Sequence, residues 1–282
     1  PSSLRPSLRR PMIACCRPLP LFLLTALPAL TADPHLLDRA YQRMYNFDFP
    51  GAHALIDQHV NDQPHDPLGY STRAAALVFQ ELDRLRILQA DFFLDDDRIA
   101  EKKKLRPDPK TRDAFYWATR QAQERADSIL LKKPNDTSAL FANSLAWGLT
   151  TDYAAFVEKR QLTSLSYAKT SHSYAKRLIT VDKSFGDAYL TTGLSEYILG
   201  SLPFFVKWFI KFDDTKGSKQ IAIENLKFAA KNGRFLGPFA RILLAVAALR
   251  EKKKPEARDW LHGLVRDYPE NPLLKHELER LR

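Results

Sequence analysis

The feature that most constrains the fold is a pattern of proline and alanine that occurs near both ends of the chain. It begins at Pro50 in one copy and at Pro255 in the other. An alanine follows two residues later, and a second proline follows twelve residues after that alanine, at Pro64 and Pro269. Proline suits the first turn of a helix because its missing N–H would be unpaired there, whereas a later proline stops the helix. The pattern therefore predicts short helices with defined ends.

The numbers of glycine and proline residues also favour a helical fold. Ten glycines stand against eighteen prolines. This balance suits helices that end at prolines, and it disfavours glycine-rich nucleotide-binding loops and folds built from β-hairpins. We expect an all-α protein.

The spacing resembles the tetratricopeptide repeat (TPR), a 34-residue helix–turn–helix unit with small residues at two crossing points and a proline near its end. The matching positions are Ala40, Ala52 and Pro64 in the first unit, Ala74 in the next, Ala122 and Pro134 in the middle, Gly193, and Ala245, Ala257 and Pro269 in the last. The resemblance covers most of 33–282 and implies a TPR-like helical-hairpin array, an α-solenoid of about 11–12 helices.

Three segments depart from this pattern. Residues 81–110 lack the expected alanine and carry separate runs of aspartate and lysine. Lys183 stands where a third proline is expected. Residues 200–216 form an insertion at a helix–helix turn. We therefore predict irregular structure at 81–110 and 200–216 within one helical domain, 33–282.

The first residues have the composition of a targeting signal. Arg17 precedes an apolar run over 19–30, which ends in the small residues before Asp33. This arrangement is typical of a secretory signal peptide, and the run is shorter than the roughly 20 residues of a membrane span. We expect 1–32 to be an upstream extension plus signal peptide, and the mature protein to be exported, either periplasmic or secreted. An uncleaved membrane anchor is the alternative.

Charge and cysteine content narrow the function further. Removal of 1–32 lowers the count of Lys and Arg from 43 to 39 against 33 acids, and the formal charge from +10 to +6. This modest excess predicts no nucleic-acid partner. Both cysteines, Cys15 and Cys16, lie in the leader, so thiol catalysis, disulfides and cysteine-based zinc sites are excluded for the mature chain.

The segment 202–212 is unusually aromatic and allows three interpretations. Drawn as a helix, it places two lysines on a narrow stripe opposite a broad aromatic face. It can pack against its own chain, line a groove for an apolar partner, or contact a membrane surface with its lysines near anionic lipid. The residues of this possible membrane or apolar contact are Phe204, Phe205, Lys207, Trp208, Phe209 and Lys211. The region 199–226 also resembles the insert of TPR proteins associated with the mitochondrial outer membrane.

The sequence contains one motif known from enzymes, but the companion motifs of that enzyme class are missing. Ser-x-x-Lys, the nucleophile motif of penicillin-binding enzymes, begins at Ser166 and again at Ser173, which favours a repeated helix surface over a unique nucleophile. Histidine spacing predicts no metal site, and no motif predicts a cofactor. If the chain were an enzyme, Glu158, His172 and Glu196 would be the candidate residues.

TPR arrays bind partners on the concave face lined by the first helix of each unit, and this resemblance implies candidate contact residues. The predicted partner-binding residues are Tyr41, Tyr45, Phe141, Leu190, Tyr197, Ile242 and Arg250. Most are apolar or aromatic, which favours a protein partner or an apolar peptide segment. The alternative is that irregular units close the groove and bury these side chains.

The sequence thus predicts a non-catalytic exported scaffold that binds a protein or peptide. One alternative is a membrane-peripheral protein that contacts lipid through 202–212. A helical enzyme of unknown reaction is the other.

Overall fold

The computed structural model describes residues 35–89, 105–201 and 218–281, without the side chains of 198–201. These ranges contain eleven α-helices and no strand, and they belong to one unit by their contacts. The helices are α1 (Leu36–Tyr45), α2 (Phe49–Asp62), α3 (Pro67–Arg84), α4 (Pro109–Lys132), α5 (Thr137–Asp152), α6 (Gln161–Val181), α7 (Ala188–Ser201), α8 (Lys219–Asn232), α9 (Gly237–Arg250), α10 (Lys254–Asp267) and α11 (Pro272–Glu279).

Helices α2, α3, α4 and α5 each begin with an aspartate whose side chain caps the first turn. The carboxylates of Asp48, Asp66, Asp108 and Asp136 each accept a hydrogen bond from a backbone N–H in the first turn of the next helix. Three of these caps are followed by proline at one of the first two helical positions. Such caps satisfy donors that have no partner within the helix, and each contributes about 1 kcal/mol.

The helices pack as consecutive hairpins with small residues between them. Ala52, Ala122 and Ala257 are fully buried. A side chain at Gly193 would meet Leu226 on the partner helix at 3.0 Å, so α7 and α8 approach closely there. The prediction of small residues at the crossing points is confirmed, and so is the all-α helical-hairpin fold.

Two of the turns between units contain the same hydrogen bond, from a tyrosine hydroxyl to a backbone carbonyl six residues earlier. The Tyr70 hydroxyl donates to the carbonyl oxygen of Pro64, six residues earlier, over 3.1 Å. Tyr189 makes the same bond to Lys183, at 3.0 Å. Lys183 therefore takes the place of the missing proline because the turn uses the backbone carbonyl, which any residue supplies.

The two segments predicted to be irregular are partly helical. Residues 81–84 extend α3 and residues 109–110 begin α4, while α7 continues through Ser201. Glu81 is buried and binds Arg84 and the backbone N–H of Asp108, which fixes the start of α4 beside the end of α3. Residues 90–104 and 202–217 lie outside the described residues, so the rest of the prediction is untested.

Two glycines allow a matched test of this packing. A Cβ at Gly186 would lie 2.3 Å from the backbone carbon of Asn232, whereas a Cβ at Gly263 within α10 would meet nothing closer than 3.9 Å. We expect Gly186→Ala to destabilise the protein by about 2 kcal/mol or more because backbone must move. Gly263→Ala should stabilise it by about 0.5–1 kcal/mol because alanine favours helix. Urea unfolding of both variants measures these changes, and equal effects would contradict the close contact at Gly186.

Candidate functional site

The inner face of the array is an aromatic cluster filled by the loop between α8 and α9. Phe235 in this loop lies 4.9 Å from the ring of Tyr41 and 6.0 Å from the ring of Phe141, to which it is nearly parallel. Its exposed fraction is 3%. One turn further along the chain, Phe239 meets Phe79 edge to face at 5.5 Å. Helices α1, α3 and α5, the first helices of the first three hairpins, therefore converge on the start of α9 and the loop before it.

A buried carboxylate holds the loop in place. Asp187 accepts hydrogen bonds from the backbone N–H groups of Arg234, Phe235 and Leu236 at 3.1, 3.0 and 2.7 Å. Burial raises the pKa of Asp187 above its ordinary value, and the hydrogen bonds from the three amides oppose part of that rise. Since each buried amide would otherwise lack a partner, Asp187 makes the inward course of the loop possible.

The same loop binds the first helix. The Arg234 guanidinium donates to both carboxylate oxygens of Asp38, at 2.7 and 2.6 Å, and this lowers the pKa of Asp38. The Tyr45 hydroxyl donates to the carbonyl oxygen of Phe235 over 3.0 Å in buried surroundings. These contacts join parts of the chain that are 190 or more residues apart in sequence.

A second set of contacts joins α1 to the turn after α10. The Asn271 side chain donates to the carbonyl oxygen of Tyr45 at 2.8 Å, and the backbone N–H of Glu270 donates to Asn46 at 3.0 Å. The rings of Tyr45 and Tyr268 lie 5.2 Å apart. The first and last units therefore touch, and the array is closed.

This closure agrees with the alternative in which irregular units close the groove. Tyr41, Tyr45, Phe141 and Leu190 retain between 2% and 7% exposure and belong to the hydrophobic core, so they line no open groove. The physical reason is that Phe235 and its neighbours already cover the aromatic surface. The other predicted contacts, Tyr197, Ile242 and Arg250, are half-buried, and Ile242 packs against the core.

The sequence analysis did not predict the residues that close the array. Asp187, Arg234 and Phe235 were not identified as functional or structural positions, although one signal was present. Gly233 and Gly237 bracket the loop, and a Cβ at Gly233 would lie 2.6 Å from the carbonyl oxygen of Ala229 and 2.9 Å from Asp187. Glycines on both sides of the apolar residues Phe235 and Leu236, between two helices, indicate that the backbone there packs closely against other groups.

The residues considered for chemistry lie apart. Ser166 and Ser173 are exposed on the surface of α6, as are the lysines of both motifs. Glu158 pairs with Arg160 at 3.2 Å, whereas Glu196 accepts from the backbone N–H of Ser218 at 3.0 Å. Within 35–89, 105–201 and 218–281, no group of three or more His, Cys, Asp or Glu side chains is placed to hold a metal ion.

The aromatic segment is not among the residues that the structure places. Its residues 202–212 lie outside the described part of the chain, so its three interpretations and its resemblance to the mitochondrial proteins stay predictions. Among the residues that are described, no helix has the length and apolar character needed to cross a membrane.

Comparison with known proteins gives one structural similarity. The chain is similar to a thermophilic TPR protein of Thermus thermophilus, with 15% identity and a TM-score of 0.47 over 88% of this chain and 97% of that one. No protein-family model matches the chain. No curated protein matches it either.

Truncation of Phe235 tests the closure energetically. We expect Phe235→Ala to lower the free energy of unfolding by about 3–5 kcal/mol, the usual cost of removing a buried phenylalanine. Phe228, which is 36% exposed and packs on Tyr189 with ring centroids 4.4 Å apart, provides the control, and Phe228→Ala should cost less, about 1–2 kcal/mol. Urea denaturation followed by circular dichroism measures both values. Similar small costs for the two variants would show that Phe235 is not buried in the array.

A buried histidine predicts acid sensitivity. Burial, and then the charge of Lys176, lowers the pKa of His172 from 6.5 to about 4. As the pH falls below about 6.5, His172 becomes protonated in the unfolded chain but stays neutral in the folded protein. Protonation therefore favours the unfolded chain, and the free energy of unfolding falls between pH 6.5 and pH 4. We expect a loss of about 1–2 kcal/mol between pH 7.5 and pH 5 from this residue.

The variant His172→Gln should lose less stability over this range than the wild type, because glutamine does not titrate. The matched control replaces the exposed His262 with Gln, so that each variant lacks one histidine. Urea unfolding at the two pH values measures the difference. An unchanged pH dependence in His172→Gln would refute the assignment.

Proposed function

We propose that this protein is a non-catalytic, exported scaffold that binds a protein partner through the outside of its helical array. The observation that carries the proposal is the closed inner face. Phe235 occupies the aromatic surface formed by Tyr41 and Phe141, so a partner meets the second helices of the units and the turns between them.

The architecture supports a binding role. Each helix pair cannot bury its apolar side alone, so the units stack and form a continuous core with a large outer surface. Closure ties the ends of the array together, which gives that surface a fixed shape. A rigid surface binds with less loss of conformational freedom than a flexible one.

Export is supported by the sequence of the leader. The apolar run of 19–30 with Arg17 before it has the features of a secretory signal, and the chain after residue 32 contains no cysteine. A chain without thiols is chemically indifferent to an oxidising compartment. The site of action is therefore proposed to be outside the cytoplasm.

Photo-crosslinking in cells tests both the partner and the surface. A photoreactive amino acid is introduced singly at one exposed position on each of four second helices and at Ile242 on the inner side. The outer positions are Asp57, Leu131, Leu162 and Arg258. We expect a discrete adduct with one protein from at least one outer position and none from Ile242. An adduct from Ile242 alone would contradict an outer binding surface, and turnover of a small molecule by the purified protein would contradict a non-catalytic role.

A further inference from the structure

One edge of the array carries a cluster of five exposed cations. We call this surface the basic edge. Its members are Lys132, Lys133, Arg177, Lys183 and Lys231. Among the residues that the structure describes, none of the five forms an ion pair.

Contacts between turns show that these cations share one edge. The Arg177 side chain at the end of α6 donates to the carbonyl oxygen of Pro134, so it lies against the turn that follows Lys132 and Lys133. Two residues after α6, Lys183 opens the next turn. That turn meets the end of α8, because Gly186 lies directly against the backbone of Asn232, next to Lys231 in sequence. The basic edge therefore runs across three consecutive turns.

The acids of these turns are used by the backbone. Asp136 accepts from the backbone N–H of Ala139 at the start of α5. Asp182 accepts from both the N–H and the hydroxyl of Ser184, which lowers its pKa. Asp187 is buried under the loop before α9. These carboxylates keep their charge, but none of them pairs with a cation of the basic edge. Five exposed cations outnumber the three acids, so the edge carries a net positive charge.

Apolar side chains accompany the charges. Leu131 is 86% exposed beside Lys132, and Val181 is 39% exposed two residues before Lys183. A lysine in the last turn of a helix interacts favourably with the helix dipole, which explains why a single lysine stands at such a position. That effect does not account for an exposed leucine beside them, nor for the grouping of five cations on three neighbouring turns.

We infer that the basic edge is the part of the outer surface that receives the partner, and that the partner presents an acidic polypeptide segment with interspersed aliphatic side chains. This inference rests on the proposed function. Units in an array are stacked about 10 Å apart, so three turns span roughly 20 Å, the length of about six extended residues. Carboxylates spaced along such a segment meet the row of cations, and its aliphatic side chains cover Leu131 and Val181.

A labelled peptide tests the inference on the full-length protein. The probe is a fluorescein-labelled 12-residue peptide of sequence (Glu-Leu-Glu-Gly)3, with (Gln-Leu-Gln-Gly)3 as the uncharged comparison. We expect the acidic peptide to bind in fluorescence anisotropy, with affinity falling as salt is raised, and the uncharged peptide to bind at least about tenfold more weakly.

Two charge-matched variants locate the binding site. The edge variant combines Lys132→Gln, Lys133→Gln, Lys183→Gln and Lys231→Gln. The control variant removes the same charge from four exposed lysines away from these turns, with Lys110→Gln, Lys219→Gln, Lys227→Gln and Lys254→Gln. The edge variant should weaken binding of the acidic peptide by about tenfold or more and the control by less than about threefold, with both variants folded by circular dichroism.

Several results would overturn the inference. Equal loss in the two variants would show a general charge effect, and absence of binding to the wild type would refute the acidic peptide class. Phosphatidylglycerol vesicles or a 12-nucleotide single-stranded DNA are tested in parallel. If either loses binding in the edge variant while the peptide does not, the edge serves that ligand instead. If the partner found by photo-crosslinking still binds the edge variant, the scaffold role stands and the basic edge is not its surface.

Discussion

The structure depends on the burial of one aromatic side chain at the meeting point of distant helices. Phe235 packs between Tyr41 and Phe141, and its loop reaches the interior because Asp187 accepts hydrogen bonds from three consecutive backbone amides. Burial of the aromatic rings favours closure. The Asp187 carboxylate gives the loop amides hydrogen-bond partners, which avoids the free-energy penalty of burying them unpaired. Without both, an array of five hairpins would leave its aromatic side open to water.

Closure changes which surface is available for function. In an open array the first helices would present their aromatic side chains to a partner. Here those side chains form the core, and the turns between units, with the second helices, form the exposed surface. The acids in these turns cap helices or hold the loop, as Asp136 and Asp187 do, and they form no ion pair with the neighbouring lysines.

Local features of the fold were predictable from sequence, and distant pairings were not. The spacing of Ala52 and Pro64 predicts a helix, its crossing point and its end, because each depends on residues within one unit. The contacts of Arg234 with Asp38 and of Tyr45 with Phe235 span 190 or more residues, far more than one unit, so no repeat period reveals them. The exposure of the predicted contact residues depends on a loop that local pattern cannot position.

The most direct test of the account is the distance between the first and last units in solution. Spin labels are attached at Arg39→Cys and Arg266→Cys in a Cys15→Ser, Cys16→Ser background, and the distance is measured by double electron–electron resonance. Because Gln42, one turn beyond Arg39, donates to the carbonyl oxygen of Asp267, closure predicts a distance below about 25 Å. An open array of five units stacked about 10 Å apart would give about 40 Å, and a distribution centred there would contradict closure.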